Sequence, residues 1–328
     1  MNENFTQHPK DGDPWDVAII GSGPASLTAA IYTTRGAAST LILGGAKWGG
    51  QLMLTTLVDN YPGFPQGIQG PELMENMKRQ AERFGAKFLA SDVESVDFLS
   101  SPFKLHTSNG DFLSKAVIIA TGAETVWLEV QGLDQLIGRG VSSCAPCDAP
   151  FFKDKKVAVV GGGDSAMEEA LVLSKYATEV TVIHRRDQLR ASSAMQQKVK
   201  SNQKIKILFN TEVIEVKGTQ KLEKIILKNS KQSLPFQGKD NNQSELVLDG
   251  LFVAIGHSPS TKLFAGKIDI DERGFVKVND QTKTNIEGIF TAGDVHDNHY
   301  KQAVTAAGFG CMAALDVLKY LDNYATNN

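Results

Sequence analysis

Two cysteines three positions apart, Cys144 and Cys147 in Ser143-Cys-Ala-Pro-Cys-Asp148, are the residues best placed by type and spacing to do chemistry. Thiols at this spacing can close and reopen a small disulfide, and such pairs often have a lowered thiol pKa. Asp148 follows at once, where a carboxyl could supply or take up the proton of thiol–disulfide exchange or could simply cap the next turn. Pro146 and Pro150 restrict the backbone on both sides. A zinc site would need a second ligand pair. The only other cysteine is Cys311, and the six histidines form no metal-binding pattern, so no metal is expected. Cys311, in the amphipathic stretch Gly310–Leu321, is expected to fill a helix core as a small hydrophobe.

A second set of residues suits phosphate. Val17 to Ser26 reads VAIIGSGPAS and Val157 to Ala166 reads VAVVGGGDSA. Each is a buried-strand run, a glycine turn and a helix start. This is the arrangement in which free helix N–H groups and the helix dipole meet a dinucleotide pyrophosphate. One such turn is weak support, because glycine turns also arise for steric reasons. Here the landmarks repeat. Twenty-three residues separate Gly21 from Gly44 after Thr40-Leu-Ile-Leu, and 23 separate Gly161 from His184 after Val180-Thr-Val-Ile. Similar strands close the units at Ala116–Gly122 and Leu251–Gly256.

The copies differ where the second strand ends. The first has Gly44-Gly-Ala-Lys-Trp-Gly-Gly-Gln51 and lacks the acid that usually bonds a ribose hydroxyl. The second has His184, Arg185, Arg186 and then Arg190. Guanidiniums bind phosphate oxygens bidentately and suit the extra phosphate of NADPH. A solvated basic strand end is the plainer alternative. The NADPH turn itself would comprise Gly161, Gly162, Gly163, Asp164 and Ser165.

The elements that must position these residues are strands alternating with helices, the pattern of an α/β protein. At 328 residues the chain is long enough for about two domains, and each glycine unit would seed one. A formal charge of −3 argues against a nucleic-acid partner. No G-x-S-x-G elbow or Walker motif occurs, which leaves hydrolase and NTPase readings without support. Residues 1–15 carry no apolar stretch of signal length, and no run of about 18 apolar residues occurs. An odd number of cysteines fits a reducing compartment. A cytoplasmic protein without membrane association is therefore expected.

Taken together, GSGPAS, WGGQL, DNYPGF, ATGAE, SCAPCD, GGGDSAMEEA, HRRDQLR, AIGHSP and TAGDVHDNHYKQAVTAAGFGCMAALD resemble the low-molecular-weight thioredoxin reductases. The likeness runs from Asp16 to the C-terminal helix. It implies two Rossmann-like, three-layer ββα domains, with the NADPH domain (124–248) inserted into an FAD domain (1–123 and 249–328). The polar stretch Asn229–Ser244 reads as a loop of the inserted domain. By the resemblance Ser22, Gly23, Pro24 and Ala25 take the FAD pyrophosphate. Gly44, Gly50, Gln51 and Asn60 approach the cofactor, Val93 meets the adenine, and Asp294, Lys301, Gln302 and Ala303 line the flavin side. Electrons would run from NADPH to FAD to Cys144–Cys147 and on to thioredoxin or a thioredoxin-like protein. Cys147 would face the flavin and Asp148 would act as acid/base. A homodimer is implied, as is a hinged rotation about Ala123–Thr125 and Leu248–Gly250. The sequence departs from the commonest family pattern at the CAPC motif, at Lys301 in place of arginine, and at Trp48. A dithiol oxidase, a ferredoxin- or flavodoxin-linked reductase and a non-enzymatic redox sensor are the alternatives.

Overall fold

The computed structural model describes residues 8–230 and 242–327. The chain forms two compact units. One comprises the residues up to Glu124 together with those from Ser258 onward, and the other runs Thr125–His257.

In the first unit the apolar run Trp15–Ile20 lies in parallel between Thr40–Leu43 and Gly110–Ile119, with Lys87–Leu89 beyond Thr40–Leu43. The long strand Gly110–Ile119 has two roles. Its last residues pair in parallel with Ile289–Thr291, while its first residues pair antiparallel with Phe103–Thr107, which in turn pairs with Val93–Asp97. Successive side chains of a strand face opposite ways, and the core follows that rule. Val17, Ile19, Ile42 and Ile118 pack with the helix residues Leu27, Ala30 and Ala314. Ala18, Ile20, Leu41, Leu43 and Ile119 pack with Val96, Phe98, Phe103 and Leu105 on the other side.

The C-terminal helix Ala303–Asn327 is long and apolar enough to cross a membrane by length and composition alone. Its buried stripe, Ala306, Ala307, Gly310, Ala313, Ala314 and Val317, joins the core of this unit. A Cβ at Gly310 would stand 2.1 Å from the Ala25 carbonyl oxygen, so only glycine lets the two helices approach so closely.

The second unit repeats the plan. A five-stranded parallel sheet runs in the order Val141–Ser142, Gly250–Val253, Lys156–Val160, Glu179–Ile183, Ile205–Leu208. Val157, Val159, Val180 and Val182 meet the helix residues Ala166, Met167, Ala170 and Leu173. Ala158, Val160, Ile183 and Leu251 meet Val213, Val216, Ile225 and Leu227. Those last residues belong to a three-stranded antiparallel sheet of Thr211–Gly218, Leu222–Asn229 and Gln243–Val247. Two Rossmann-like domains result.

Two sequence-based boundaries shift. The strand Gly250–Val253, read as the closing strand of the second unit but left beyond the expected domain boundary, hydrogen-bonds along Lys156–Val160 and so lies in the second unit. The chain returns to the first unit at His257–Ser258, beyond the expected Leu248–Gly250. The expected loop Asn229–Ser244 is shortened at both ends, since Asn229 pairs with Thr211 and Ser244 with Leu227. The rest of that stretch, residues 231–241 with Pro235 and Gly238, lies outside the described residues.

Candidate active site

Cys144 ends the segment after strand Val141–Ser142 and caps a single helical turn, Ala145–Asp148. Pro146 occupies the first turn, where its missing N–H costs nothing. A disulfide joins Cys144 to Cys147, with 5.3 Å between their Cα atoms. The amides of Cys147 and Asp148 both donate to the Cys144 carbonyl, at 3.2 and 3.1 Å.

Two carboxyls flank this turn. The Ser142 hydroxyl donates to Asp148 Oδ2 at 2.5 Å and accepts the Cys144 amide at 3.1 Å. Burial pushes the Asp148 carboxyl above the ordinary range, and the Ser142 bond opposes that rise. Glu169, from the helix Asp164–Ser174, accepts the Ala145 amide on Oε2 at 2.7 Å. Burial pushes its carboxyl up to about 8; the Ala145 bond resists, while the Asp148 and Glu168 charges add to the rise. The turn thus combines a two-electron couple with two carboxyls of raised proton affinity, that of Glu169 close to working pH.

The first glycine turn is shaped by what its glycines exclude. Gly21, at φ +124°, would place a Cβ 2.1 Å from the Ala120 carbonyl oxygen. At Gly23 a Cβ would meet nothing within 4 Å, and no side chain caps the helix Pro24–Arg35 that follows. Open space and uncapped amides fit a pyrophosphate. The Ser22 hydroxyl donates to the Gly44 carbonyl at 2.6 Å and accepts the Gly49 amide at 2.9 Å. It ties the glycine segment of the second strand under the turn. Gly50 backs the turn, its would-be Cβ 3.6 Å from the Gly23 Cα.

Gly293, at φ +79°, would place a Cβ 2.9 Å from that of Ala25, which brings the TAGD segment to the helix start. The next residue, Asp294, has a buried Oδ1 without a partner, and burial pushes its carboxyl to about 6. An orphaned acceptor in such a place fits the hydroxyls of a bound dinucleotide. Asn60 Nδ2 donates to Gln302 Oε1 at 3.2 Å, next to Ala303, where the last helix begins. Lys301 adopts φ +50° and has its amine pKa lowered by burial. Gln51 is exposed, and Val93 starts the half-buried edge strand.

The second turn repeats the geometry. Gly161, at φ +157°, would place a Cβ 2.5 Å from the Ala254 carbonyl oxygen, and Gly163 has nothing within 4 Å. No side chain caps the helix Asp164–Ser174. The Asp164 carboxylate is turned aside, accepting the Ser192 amide and hydroxyl at 2.8 and 2.9 Å. Ser165, Arg185, Arg186 and Arg190 are exposed. His184 is not grouped with the arginines. Its ring is buried beneath Gly162, and Nε2 bonds the Gln188 carbonyl oxygen at 2.9 Å.

Sequence reasoning missed Glu169. It lies within GGGDSAMEEA, and lining up the two units would have flagged it, because the matching residue of the first is the fully buried Ala29. Trp48 packs edge-on against Phe88 at 5.7 Å between ring centroids, and Lys78 Nζ lies over both rings. Cys311 is not the core residue expected. It sits one position past Gly310, off the buried stripe, and is only half-buried.

A family model for pyridine nucleotide-disulphide oxidoreductases matches residues 15–310. The chain is 50% identical over 313 residues to a thioredoxin reductase of Streptomyces coelicolor, covering 94% of each chain. It is 46% identical over 309 residues to that of Rickettsia prowazekii, covering 93% of this chain and 98% of the relative. The solved thioredoxin reductase of Giardia duodenalis matches with a TM-score of 0.87 at 40% identity, covering 94% of this chain and 99% of that one.

Proposed function

The chain belongs to the pyridine nucleotide-disulphide oxidoreductases, among the thioredoxin reductases, and on that premise we propose how its residues carry electrons from NADPH to a thioredoxin. The observation that carries the reading is the disulfide Cys144–Cys147 held between two carboxyls in a chain with two open glycine turns at Gly23 and Gly163. When bound, FAD supplies the two-electron carrier that links nicotinamide to disulfide.

Gly23, Pro24 and Ala25 would receive the FAD pyrophosphate on the uncapped helix start, with Ser22 bracing Gly44 and Gly49 below. Asp294 would accept a cofactor hydroxyl on its free Oδ1, and Asn60, Lys301, Gln302 and Ala303 would border the flavin. Gln51, Gly50 and Val93 complete that set. Gly161, Gly162, Gly163 and Ser165 would form the NADPH turn. Arg185, Arg186 and Arg190 would grip its extra phosphate, with His184 supporting Gly162 from beneath. Reduction of the disulfide leaves two thiols at Cys144 and Cys147, one of which attacks the disulfide of the protein substrate. Asp148, its pKa raised by burial, would hold the proton that the departing thiolate needs. The enzyme is taken to work as a homodimer in a reducing cytoplasm, where its cysteines are not needed as structural staples.

Anaerobic NADPH titration with thiol counting tests the reading. The wild type should bleach and gain two reactive thiols, whereas Cys147→Ser should bleach and gain none. Bleaching by dithiols but not by NADPH would replace it with a dithiol oxidase.

A further inference from the structure

We propose that Glu169 is a positioning residue of the disulfide centre: it withholds the Ala145 amide from the Cys144 sulfur and thereby sets how readily that thiol ionises. The inference rests on Cys144–Cys147 being the exchanging disulfide.

A cysteine at a helix N-terminus usually has its thiolate stabilised by the first free amides of the helix. In this turn those amides are engaged elsewhere. The Cys144 amide donates to Ser142, whose hydroxyl is held by Asp148. Pro146 has none. The Cys147 and Asp148 amides donate to the Cys144 carbonyl. The remaining one, on the fully buried Ala145, donates to Glu169 Oε2 at 2.7 Å. Among the described residues, Glu169 thus takes the amide beside Cys144 for which a thiolate there would compete.

The surroundings of Glu169 fix its protonation. Asp148 on the turn and Glu168 on its own helix both press a proton onto it. The sheet beneath that helix contributes apolar side chains to the shared core, Val157, Val159, Val180, Val182, Ile205 and Phe252. With its carboxyl pushed to about 8, Glu169 stays neutral at pH 7 and adds no repulsion to a thiolate. Above its pKa it becomes a like charge on the amide of Ala145, the residue after Cys144.

The experiment equilibrates full-length flavoprotein with glutathione. Two glutathione thiols give their protons and two electrons to the Cys144–Cys147 bond, yielding one glutathione disulfide and two protein thiols. Alkylation rate against pH, mapped to Cys144, reads its pKa. Glu169→Leu, which frees the amide, should shift the constant toward the dithiol by about tenfold, equivalent to about 30 mV for a two-electron couple, and lower the Cys144 pKa. Glu169→Gln keeps the acceptor and should stay within about threefold of wild type at pH 7. At pH 9, where only the wild type is charged, it should favour the dithiol by about tenfold. Variants that match the wild type at both pH values would overturn the proposal, as would Gln and Leu shifting equally at pH 7. A wild type that fails to exchange would instead overturn the assignment of the disulfide on which the proposal stands.

Discussion

Gly23 and Gly21 stand two residues apart, yet adding one methyl at each should have opposite consequences. At Gly23 the backbone is extended, φ −76° and ψ −176°, and a Cβ meets nothing within 4 Å. Alanine there fits the fold. It loses a little as a helix cap and gains a little from a stiffer unfolded chain, so the apoprotein should change by less than about 1 kcal/mol. The methyl would nevertheless occupy the space in front of the uncapped amides. Loss of one charge-assisted phosphate bond, about 1.5–3 kcal/mol, weakens FAD binding about 10- to 150-fold. At Gly21 a Cβ would overlap the Ala120 carbonyl oxygen at 2.1 Å, with φ at +124°. No flexible side chain can give way, so Gly21→Ala should lose about 3 kcal/mol or more of fold stability. Fluorescence titration of apoprotein with FAD, alongside urea unfolding of both variants, separates the two effects. Wild-type FAD affinity in a folded Gly23→Ala protein would refute the claim that this open face receives the pyrophosphate.

Other expectations follow from the same geometry. Alanine at both Arg185 and Arg186, exposed beyond the second strand end, should raise KM for NADPH by about tenfold or more while leaving NADH unchanged; steady-state kinetics with both donors decides it. Asp294→Ala should weaken FAD retention yet raise the apoprotein's melting temperature. Its buried Oδ1 has no partner and its pKa is pushed to about 6 from 3.8, a cost of at most about 3 kcal/mol once ionised. Glu169 should make stability pH-dependent. Its folded pKa of about 8 stands above the ordinary 4.5, so its contribution is full below pH 4.5 and is lost as pH rises to about 8, by at most about 5 kcal/mol. Urea unfolding of Glu169→Gln at pH 5 and pH 8 should show that slope removed.

The parts of this molecule legible in its sequence are those written in local pattern. The runs Val17–Ile20 and Val157–Val160 declare buried parallel strands, and the glycines after them declare turns that other residues cannot make. The Cys144–Cys147 pair announces its chemistry by spacing alone. What stayed hidden depends on distant partners. Glu169 matters because of a backbone amide 24 residues away, and no period of the helix reveals it. The boundary is less legible: Leu251-Phe-Val253 reads as the closing strand of the second unit, yet the resemblance draws the domain boundary before it. Only its pairing with Val157–Val160 decides. Cys311 was misjudged by one position on a helix whose buried stripe runs through Gly310, Ala313 and Ala314, and a one-residue offset turns a side chain about 100° around the axis.

The two nucleotide units also show which features such a turn demands and which it leaves to exchange. Gly21 and Gly161 both approach a carbonyl of the neighbouring strand end, and Gly23 and Gly163 both leave the ligand side open; these roles are identical in the two copies. The floor under the turn is built in opposite ways. In the first copy a side chain at Ser22 reaches across to a glycine, Gly44, and bonds its carbonyl. In the second the matching positions are exchanged in bulk: Gly162 is bare, and the His184 ring fills the space, 2.2 Å from where a Cβ at Gly162 would stand. Serine could not replace Gly162 without meeting that ring, and His184 could not shrink to glycine without opening a void beneath the turn. The two positions therefore form a unit that must change together. This explains why the residue at the end of the second strand differs so sharply between the copies while the backbone above it does not. It also separates His184 from the exposed arginines that follow it: the histidine supports the turn from below, and phosphate selectivity falls to Arg185, Arg186 and Arg190.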